Sequence, residues 1–239
     1  FATSARSAVG LVRSGNEDSA LASKNLIAVA DGMGGHAAGE VASSLAIKTL
    51  VQSAQVFTHP DIDEESADDL YLQAIQEADL SLKSAVEENP ALSGMGTTLT
   101  SLLLRGGSVA LLHIGDSRAY RLRGSTFEQL SVDHTVIQEL LNQGAISESD
   151  IATHPQRSVL TQVMMGEGNI EVPLPVIDAK VGDRFLVCSD GLSSVLTEKE
   201  IKSLLKGKDR DAAVAALVDA TYINGAPDNV TLVIADIVE

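Results

Sequence analysis

The stretch NLIAVADGMGGHAAGE, residues 25–40, combines the local patterns from which the rest of the chain can be interpreted. Its first six residues are mostly aliphatic and predict a buried strand over 25–30. Asp31 and four glycines follow, and the alanine-rich end of the stretch predicts the start of a helix. A glycine loop between a strand and a helix suits either a phosphate cradle or the edge of a metal site.

The composition indicates one large globular domain. The chain has 239 residues, of which 44% are hydrophobic, and it contains no linker-like or repetitive tract. We therefore expect a single domain over 1–239. The net charge of −16 argues against a nucleic-acid partner. Cys188 is the only cysteine and lies in an apolar run, so it predicts a buried side chain and is compatible with a reducing compartment.

The order of short aliphatic runs and amphipathic segments differs from the regular strand–helix–strand alternation of βαβ units. Strands are predicted over 25–30, 97–104, 109–114, 119–123, 184–189 and 230–238. Helices are predicted around 41–48 and 70–86, and over 136–142, 198–206 and 212–222. Ser66 and Asp69 are the expected cap of the second helix. Hairpins of strands and pairs of helices predict a layered α+β sandwich.

Acidic residues mark the ends of several predicted strands. Asp31, Asp116 and Asp190 each follow a strand, and Asp228 precedes the last one. If these strands are neighbours, their ends gather carboxylates in one cleft, where repulsion must be relieved by cations or protons. An oxygen-only site favours Mg²⁺ or Mn²⁺. The glycines that follow Asp31 and Asp190 let the backbone approach such an ion closely.

Two nucleotide-binding motifs compete for the glycine loop. Gly32, Gly34 and Ala37 satisfy G-x-G-x-x-G/A, but a helix follows where a dinucleotide site needs a second strand. The P-loop spacing is half present, with Glu40 at the position of the required lysine. Both are disfavoured, and a dinucleotide-binding oxidoreductase stays as a distant alternative. His36 lies in the loop, close to Asp31 in sequence, and is a candidate for either a catalytic or a structural role.

Several ordered motifs together resemble a known family. They are VGLVRSGNEDS at 9–19, ADGMGGHAAGE at 30–40, GMGTTLT at 94–100, HIGDSRAY at 113–120, HPQRSVLT at 154–161, CSDGL at 188–192 and PDNVT at 227–231. The chain resembles the bacterial type 2C metal-dependent (PPM) Ser/Thr protein phosphatases. The resemblance implies a four-layer αββα sandwich of two antiparallel sheets flanked by helices. It also implies a mobile flap at about 133–168.

The resemblance assigns the metal ligands. Asp31 matches a carboxylate that bridges two ions, with the Gly32 carbonyl on one ion and Asp190 and Asp228 on the other. Asp116 matches the ligand of a third, weaker ion. The implied cofactors are two Mn²⁺ or Mg²⁺ ions, with a third at the edge.

Other residues match positions around the ions. Glu17 and Asp18 match acids that hold metal-bound waters, and Arg13 matches an arginine that binds the substrate phosphate, a task that suits a guanidinium. Arg157 is a candidate substrate contact in the flap.

The implied reaction is hydrolysis of phosphoserine or phosphothreonine in proteins by a metal-activated water, with His36 protonating the leaving oxygen. The expected partners are Ser/Thr kinases and their substrates. We expect a monomer in the cytoplasm, either free or as the cytosolic domain of a membrane-tethered protein. The alternative from another class is a metal-stabilised binding module that does little chemistry.

The proposed role of His36 predicts an effect that depends on the leaving group. A serine alkoxide needs a proton and a nitrophenolate hardly does, and general acid catalysis contributes about 10²- to 10⁴-fold. His36→Ala should therefore slow hydrolysis of a phosphoserine peptide far more than hydrolysis of p-nitrophenyl phosphate, whereas Arg13→Ala should impair both. Steady-state kinetics on the two substrates measure this, and equal losses for His36→Ala would refute proton donation.

Overall fold

The computed structural model describes residues 1–35, 37–168 and 170–239. The strands are β1 Ala2–Ala8, β2 Asp18–Ala22, β3 Leu26–Met33, β4 Gly96–Thr97, β5 Leu99–Arg105, β6 Ser108–Ile114, β7 Arg118–Arg123, β8 Thr126–Gln129, β9 Val176–Asp178, β10 Arg184–Cys188 and β11 Val230–Asp236. The α-helices are α1 Ala37–Phe57, α2 Glu64–Glu88, α3 Val136–Asn142, α4 Asp190–Ser193, α5 Glu198–Leu205 and α6 Arg210–Ile223. Short 3₁₀ helices cover Pro90–Leu92 and Glu148–Thr153. Within the described ranges, every helix is too short or too polar to cross a bilayer.

The strands form two antiparallel sheets. One has the order β1-β11-β10-β7-β8, and the other has the order β2-β3-β5-β6-β9, with β4 paired to β3. Helices α1 and α2 pack on the second sheet, while α5 and α6 pack on the first. The predicted four-layer αββα sandwich is confirmed.

The central strands are buried on both faces, which explains their continuous apolar sequences. On β3, Ile27 and Val29 face the space between the sheets and meet Phe185 and Val187 from β10. The alternate residue Ala28 faces the outer helices. Cys188 is fully buried, as expected.

Several element boundaries differ from the sequence prediction. β3 continues to Met33, so that Asp31 lies inside the strand rather than after it. The strand predicted over 97–104 is divided at Thr98 into β4 and β5. The expected cap of the second helix is wrong: Asp63, one turn earlier, caps α2 by accepting a 2.9 Å bond from the Ser66 amide. Its extended backbone and short carboxylate make it the better N-cap.

Four strands were not predicted at all, namely β1, β2, β8 and β9. They are short or consist largely of small and polar residues, so they lack a clear period of two. Their places at or near the sheet edges, where one side is open to solvent, explain this composition.

Gly32 and Gly191, which follow Asp31 and Asp190, allow other backbone segments to pack closely against them. A Cβ atom on Gly191 would lie 1.8 Å from the Asn229 carbonyl oxygen, and one on Gly32 would lie 2.1 Å from the Gly39 carbonyl oxygen. Both glycines therefore allow close packing of the chain's own backbone, and their expected role in the approach to a metal ion stays a prediction.

This packing predicts that Gly191→Ala is strongly destabilising. The added methyl must displace the backbone at Asn229, an overpacking that costs about 3 kcal/mol or more in unfolding free energy. Gly107 is the matched control because a Cβ atom there meets nothing within 4 Å. Gly107→Ala should change the unfolding free energy by less than about 1 kcal/mol. Urea unfolding measures both, and similar values for the two variants would contradict the proposed contact.

Candidate metal centre and catalytic cleft

Asp31 is held in place by its backbone. It pairs with Asp18 of β2 in the strand register. Its amide donates to Thr98 Oγ1 at 3.0 Å, and its carbonyl accepts from the Thr98 amide at 2.9 Å and from Thr97 Oγ1 at 3.0 Å. The break between β4 and β5 thus supplies the hydroxyls that fix Asp31. The sequence prediction assigned no role to either threonine, although two adjacent hydroxyl residues next to an apolar strand could have indicated one.

The other three aspartates reach the same end of the sandwich from turns. Asp190 is the first residue of α4 directly after β10, and Asp228 precedes the neighbouring strand β11. Asp116 lies between β6 and β7. The expectation that the four strands are neighbours is only partly correct, because Asp31 and Asp116 extend from one sheet and Asp190 and Asp228 from the other.

The carboxylates are close enough to perturb one another. Burial, followed by repulsion from Asp18, Asp190, Asp116 and Asp228, raises the pKa of Asp31 well above its ordinary value. Burial and the charges of Asp190 and Asp133 raise the pKa of Asp116 to about 7. Burial also raises the pKa of Asp190, with Asp228 as the next cause. The structure therefore brings together the four aspartates that the sequence singled out.

Asp18 shows that the site suits a cation. Its carboxylate is 8% exposed, and burial raises its pKa to about 6. One oxygen accepts a 2.8 Å bond from Ser189 Oγ across the two sheets, while the buried Oδ1 has no hydrogen-bond partner among the described residues. A buried carboxylate oxygen without a donor fits a metal ion or its coordinated water.

The donor set favours a hydrated ion. Among the described residues, no three His, Cys, Asp or Glu side chains converge tightly enough to enclose a metal by themselves. Water molecules would therefore have to complete the coordination of any ion that these carboxylates hold. Magnesium retains several waters and binds through one or two carboxylates, so these residues fit it, whereas structural zinc prefers four protein ligands.

Arg13 and Glu17 approach the site on the loop between β1 and β2. Arg13 Nη2 donates to Asp228 Oδ2 at 2.6 Å, and its side chain is 51% exposed. The Glu17 carboxylate lies against Gly39 at the start of α1. The buried Asn229 joins this loop to the Asp228 turn, because its Oδ1 accepts from the Glu17 amide at 2.9 Å. The sequence prediction missed Asn229, although it directly follows Asp228.

Three of the four site aspartates line a cleft of about 830 Å³. They are Asp116, Asp190 and Asp228, and the exposed residue Arg157 also lines the cleft. Arg118 and Asp133 also line the cleft, and Arg118 binds both oxygens of Asp133 at 2.7–3.0 Å.

The segment proposed as a flap, 133–168, covers one side of the cleft and is tied at several points. A bridge joins Thr135 to Leu160, and Met164 pairs with Thr97 of β4. The buried Asp79 of α2 accepts bonds of 2.7 Å from the amides of Gly166 and Gly168. His36 lies outside the described residues, so its role stays a prediction.

A model of the family described as Protein phosphatase 2C matches residues 14–222. The chain belongs to the protein phosphatase 2C family. Members of this family are hydrolases, and the curated relatives below are named as Ser/Thr phosphatases.

Two such relatives and one solved structure illustrate the similarity. The Ser/Thr protein phosphatase PstP of Mycobacterium tuberculosis is 42% identical over 237 residues, which cover 98% of this chain and 45% of the relative. This chain thus spans about half the length of that phosphatase. The Ser/Thr phosphatase stp of Listeria welshimeri is 36% identical, with 95% and 92% of the two chains covered. The crystal structure of the PstP catalytic domain in complex with two manganese ions matches with a TM-score of 0.90 and 39% identity, covering 100% of this chain and 98% of that one.

The raised pKa of Asp116 predicts a pH-dependent effect on stability in this protein phosphatase 2C chain freed of divalent cations. Folding raises that pKa from 3.8 to about 7, so the folded state retains a proton that the unfolded state has released between these values. The stability contribution of Asp116 therefore falls as pH rises through this window. Asp116→Asn should raise the unfolding free energy by about 1–2 kcal/mol at pH 8, which is a few degrees in Tm, and should have little effect at pH 3.5.

Asp183 is the control, because its partner Arg123 helps to lower the pKa of this buried carboxyl in the folded state. Asp183→Asn should lower Tm at pH 8, an effect opposite in sign to the one predicted for Asp116→Asn. Thermal unfolding in chelator at both pH values measures the two variants. An Asp116→Asn effect of the same size at pH 3.5 and pH 8 would contradict the electrostatic origin.

Proposed function

We propose that this chain removes phosphate from phosphoserine and phosphothreonine residues of proteins in a reaction that depends on divalent cations. The observation that carries the proposal is the convergence of four aspartates from both sheets next to an exposed arginine. Acidic oxygens collect cations, and cations together with a guanidinium create a local binding site for a phosphate dianion on a protein whose net charge is −16.

We propose Asp31, the Gly32 carbonyl, Asp190 and Asp228 as the ligands of two Mn²⁺ or Mg²⁺ ions. Asp116 is the proposed ligand of a third ion at the edge of the cluster. Glu17 and Asp18 have the proposed role of orienting coordinated waters. The partnerless oxygen of Asp18 and the mutually raised pKa values of the aspartates support this assignment.

The chain's own residues bind and orient the substrate. The Arg13 guanidinium has N–H groups besides the one bonded to Asp228, and these can donate to phosphate oxygens. Divalent cations, when bound, neutralise the phosphate and make a water nucleophilic near neutral pH. His36 has the proposed role of donating a proton to the serine or threonine oxygen as it leaves. Arg157, which lines the cleft, has the proposed role of contacting the substrate.

We propose that residues 1–239 act as one catalytic domain with 133–168 as a flap over the cleft. The partners proposed are phosphorylated Ser/Thr kinases and their substrates, and the proposed state is a monomer. A cytoplasmic location, free or tethered to a membrane by another part of the protein, fits the single buried cysteine.

The experiment that tests the proposal is phosphate release from a phosphothreonine peptide. Protein stripped with chelator should be inactive, and added Mn²⁺ or Mg²⁺ should restore turnover, because the nucleophile forms at neutral pH only with a bound cation. Full activity after verified metal removal would refute the proposed mechanism. Binding of Mn²⁺ without phosphate release from any peptide would instead indicate a metal-stabilised binding module.

The bridging role proposed for Asp31 predicts a large effect of one substitution. Asp31→Asn should abolish tight binding of Mn²⁺ and lower kcat by more than about 100-fold, since even residues behind the ligands contribute 10–100-fold. Asp183→Asn is the control, because Asp183 is a buried aspartate bonded to Arg123 and lies just before β10, at the opposite end of that strand from Asp190. Isothermal titration measures both variants, and unchanged stoichiometry and affinity for Asp31→Asn would exclude the bridge.

A further inference from the structure

The loop between β1 and β2 has a fixed base. Asn229 Nδ2 donates to the carbonyl of Val9 at 2.8 Å and to that of Gly15 at 2.9 Å, so one buried side chain holds both ends of the loop. The Gly10 amide also donates to the Tyr222 hydroxyl at 3.0 Å. The tip of the loop therefore projects from a rigid support.

The tip exposes two large aliphatic side chains beside Arg13. Leu11 is 62% exposed and Val12 is 72% exposed. Because the Leu11 amide bonds to the Ala226 carbonyl at 2.8 Å, the fold holds the exposed pair in a defined position. Adjacent exposed aliphatic residues on a rigid loop at the rim of a cleft are typical of a contact surface.

A groove lies next to the support of the loop. This groove, of about 480 Å³, lies between β1 and the C-terminal half of α6. Its lining includes Ala8, Val218, Tyr222 and Ile223, which is 84% exposed, together with the charged residues Arg6 and Asp219. Tyr222 connects the groove to the loop through its bond to Gly10. A groove along an edge strand suits an extended polypeptide better than a small molecule.

We propose that Leu11 and Val12 form a docking surface that selects substrate polypeptides with large aliphatic side chains next to the phosphorylated residue. The proposal rests on the proposed phosphatase function. Arg13 has the proposed role of binding the substrate phosphate, and consecutive Cα atoms are about 3.8 Å apart, so the Cα atoms of Leu11 and Val12 lie within about 8 Å of the Arg13 Cα atom. An extended peptide rises about 3.3 Å per residue, which places the first three neighbours of the phosphorylated residue within reach.

The charge and position of the surface identify the occupant. The overall charge of −16 disfavours a polyanion, and the exposed pair itself carries no charge to attract one. A second copy of this chain on the loop would cover Arg13 and close the cleft. The occupant we infer is the segment of the substrate next to its phosphorylated residue. Binding of the phosphate at Arg13 brings that segment to Leu11 and Val12.

The test compares two phosphothreonine peptides that differ only in their flanks. One peptide carries Leu or Val at the three positions on each side, and the other carries Ser and Gly. The parent protein should hydrolyse the aliphatic peptide with a kcat/KM about tenfold higher, and the Leu11→Ser/Val12→Ser variant should lose this preference. Hydrolysis of p-nitrophenyl phosphate, which has no flanks, measures any general damage to the cleft.

Val181→Ser is the matched control. Val181 is 63% exposed but precedes β10, at the end of the sheet away from Asp190, so this variant should retain the tenfold preference. Equal kcat/KM for the two peptides in the parent, or a preference that survives in the double variant, would overturn the docking proposal while leaving the phosphatase function intact. If the parent protein releases phosphate from neither peptide, the proposed function itself is refuted.

Discussion

Repulsion among buried carboxylates is the constraint on which this end of the sandwich depends. Asp31, Asp116 and Asp190 destabilise one another at neutral pH, and a flexible chain would move them apart. The structure prevents this by fixing the backbone rather than the side chains. Thr98 bonds both polar groups of the Asp31 peptide, and the close contact of Gly191 with Asn229 joins the turns that carry Asp190 and Asp228. The apolar core between the sheets offsets the electrostatic cost and makes the carboxylates available for cations.

Two arginines near the cleft are themselves fixed by acids. Arg118 holds Asp133 with three hydrogen bonds, and Arg13 holds Asp228 with one. The Arg118–Asp133 pair is the more buried. Its guanidinium holds the first residue of the proposed flap. Arg13 is half exposed and has donors in reserve, so it is the better suited of the two to recognise an anion. Local charge therefore explains how an acidic protein can bind phosphate.

Sequence patterns predicted the central strands, most helices and the aspartates at the site, because each depends on a local apolar run or on an ordered motif. They failed where long-range contacts decide the structure. Asn229 bonds to Glu17 across 212 positions, and Thr98 bonds to Asp31 across 67, so neither role is visible in a local pattern. The start of α2 was predicted one turn too late, since Asp63 and Ser66 are both good N-cap residues and the local sequence does not decide between them. The edge strand β1 reads ATSARSA, whose small residues are stabilised by pairing with β11 rather than by burial.

The bridge between Thr135 and Leu160 closes the central part of the flap segment into a loop with its own base. On the downstream side, Asp79 and Thr97 hold the chain to α2 and β4. The entropy of closing such a loop grows only logarithmically with its length, so doubling the enclosed segment costs about 0.6 kcal/mol. Insertions and deletions between the two bridge residues are therefore cheap for the fold as a whole. The cover of the cleft can change in length and sequence during evolution while the sheets and the aspartates beneath it stay in place.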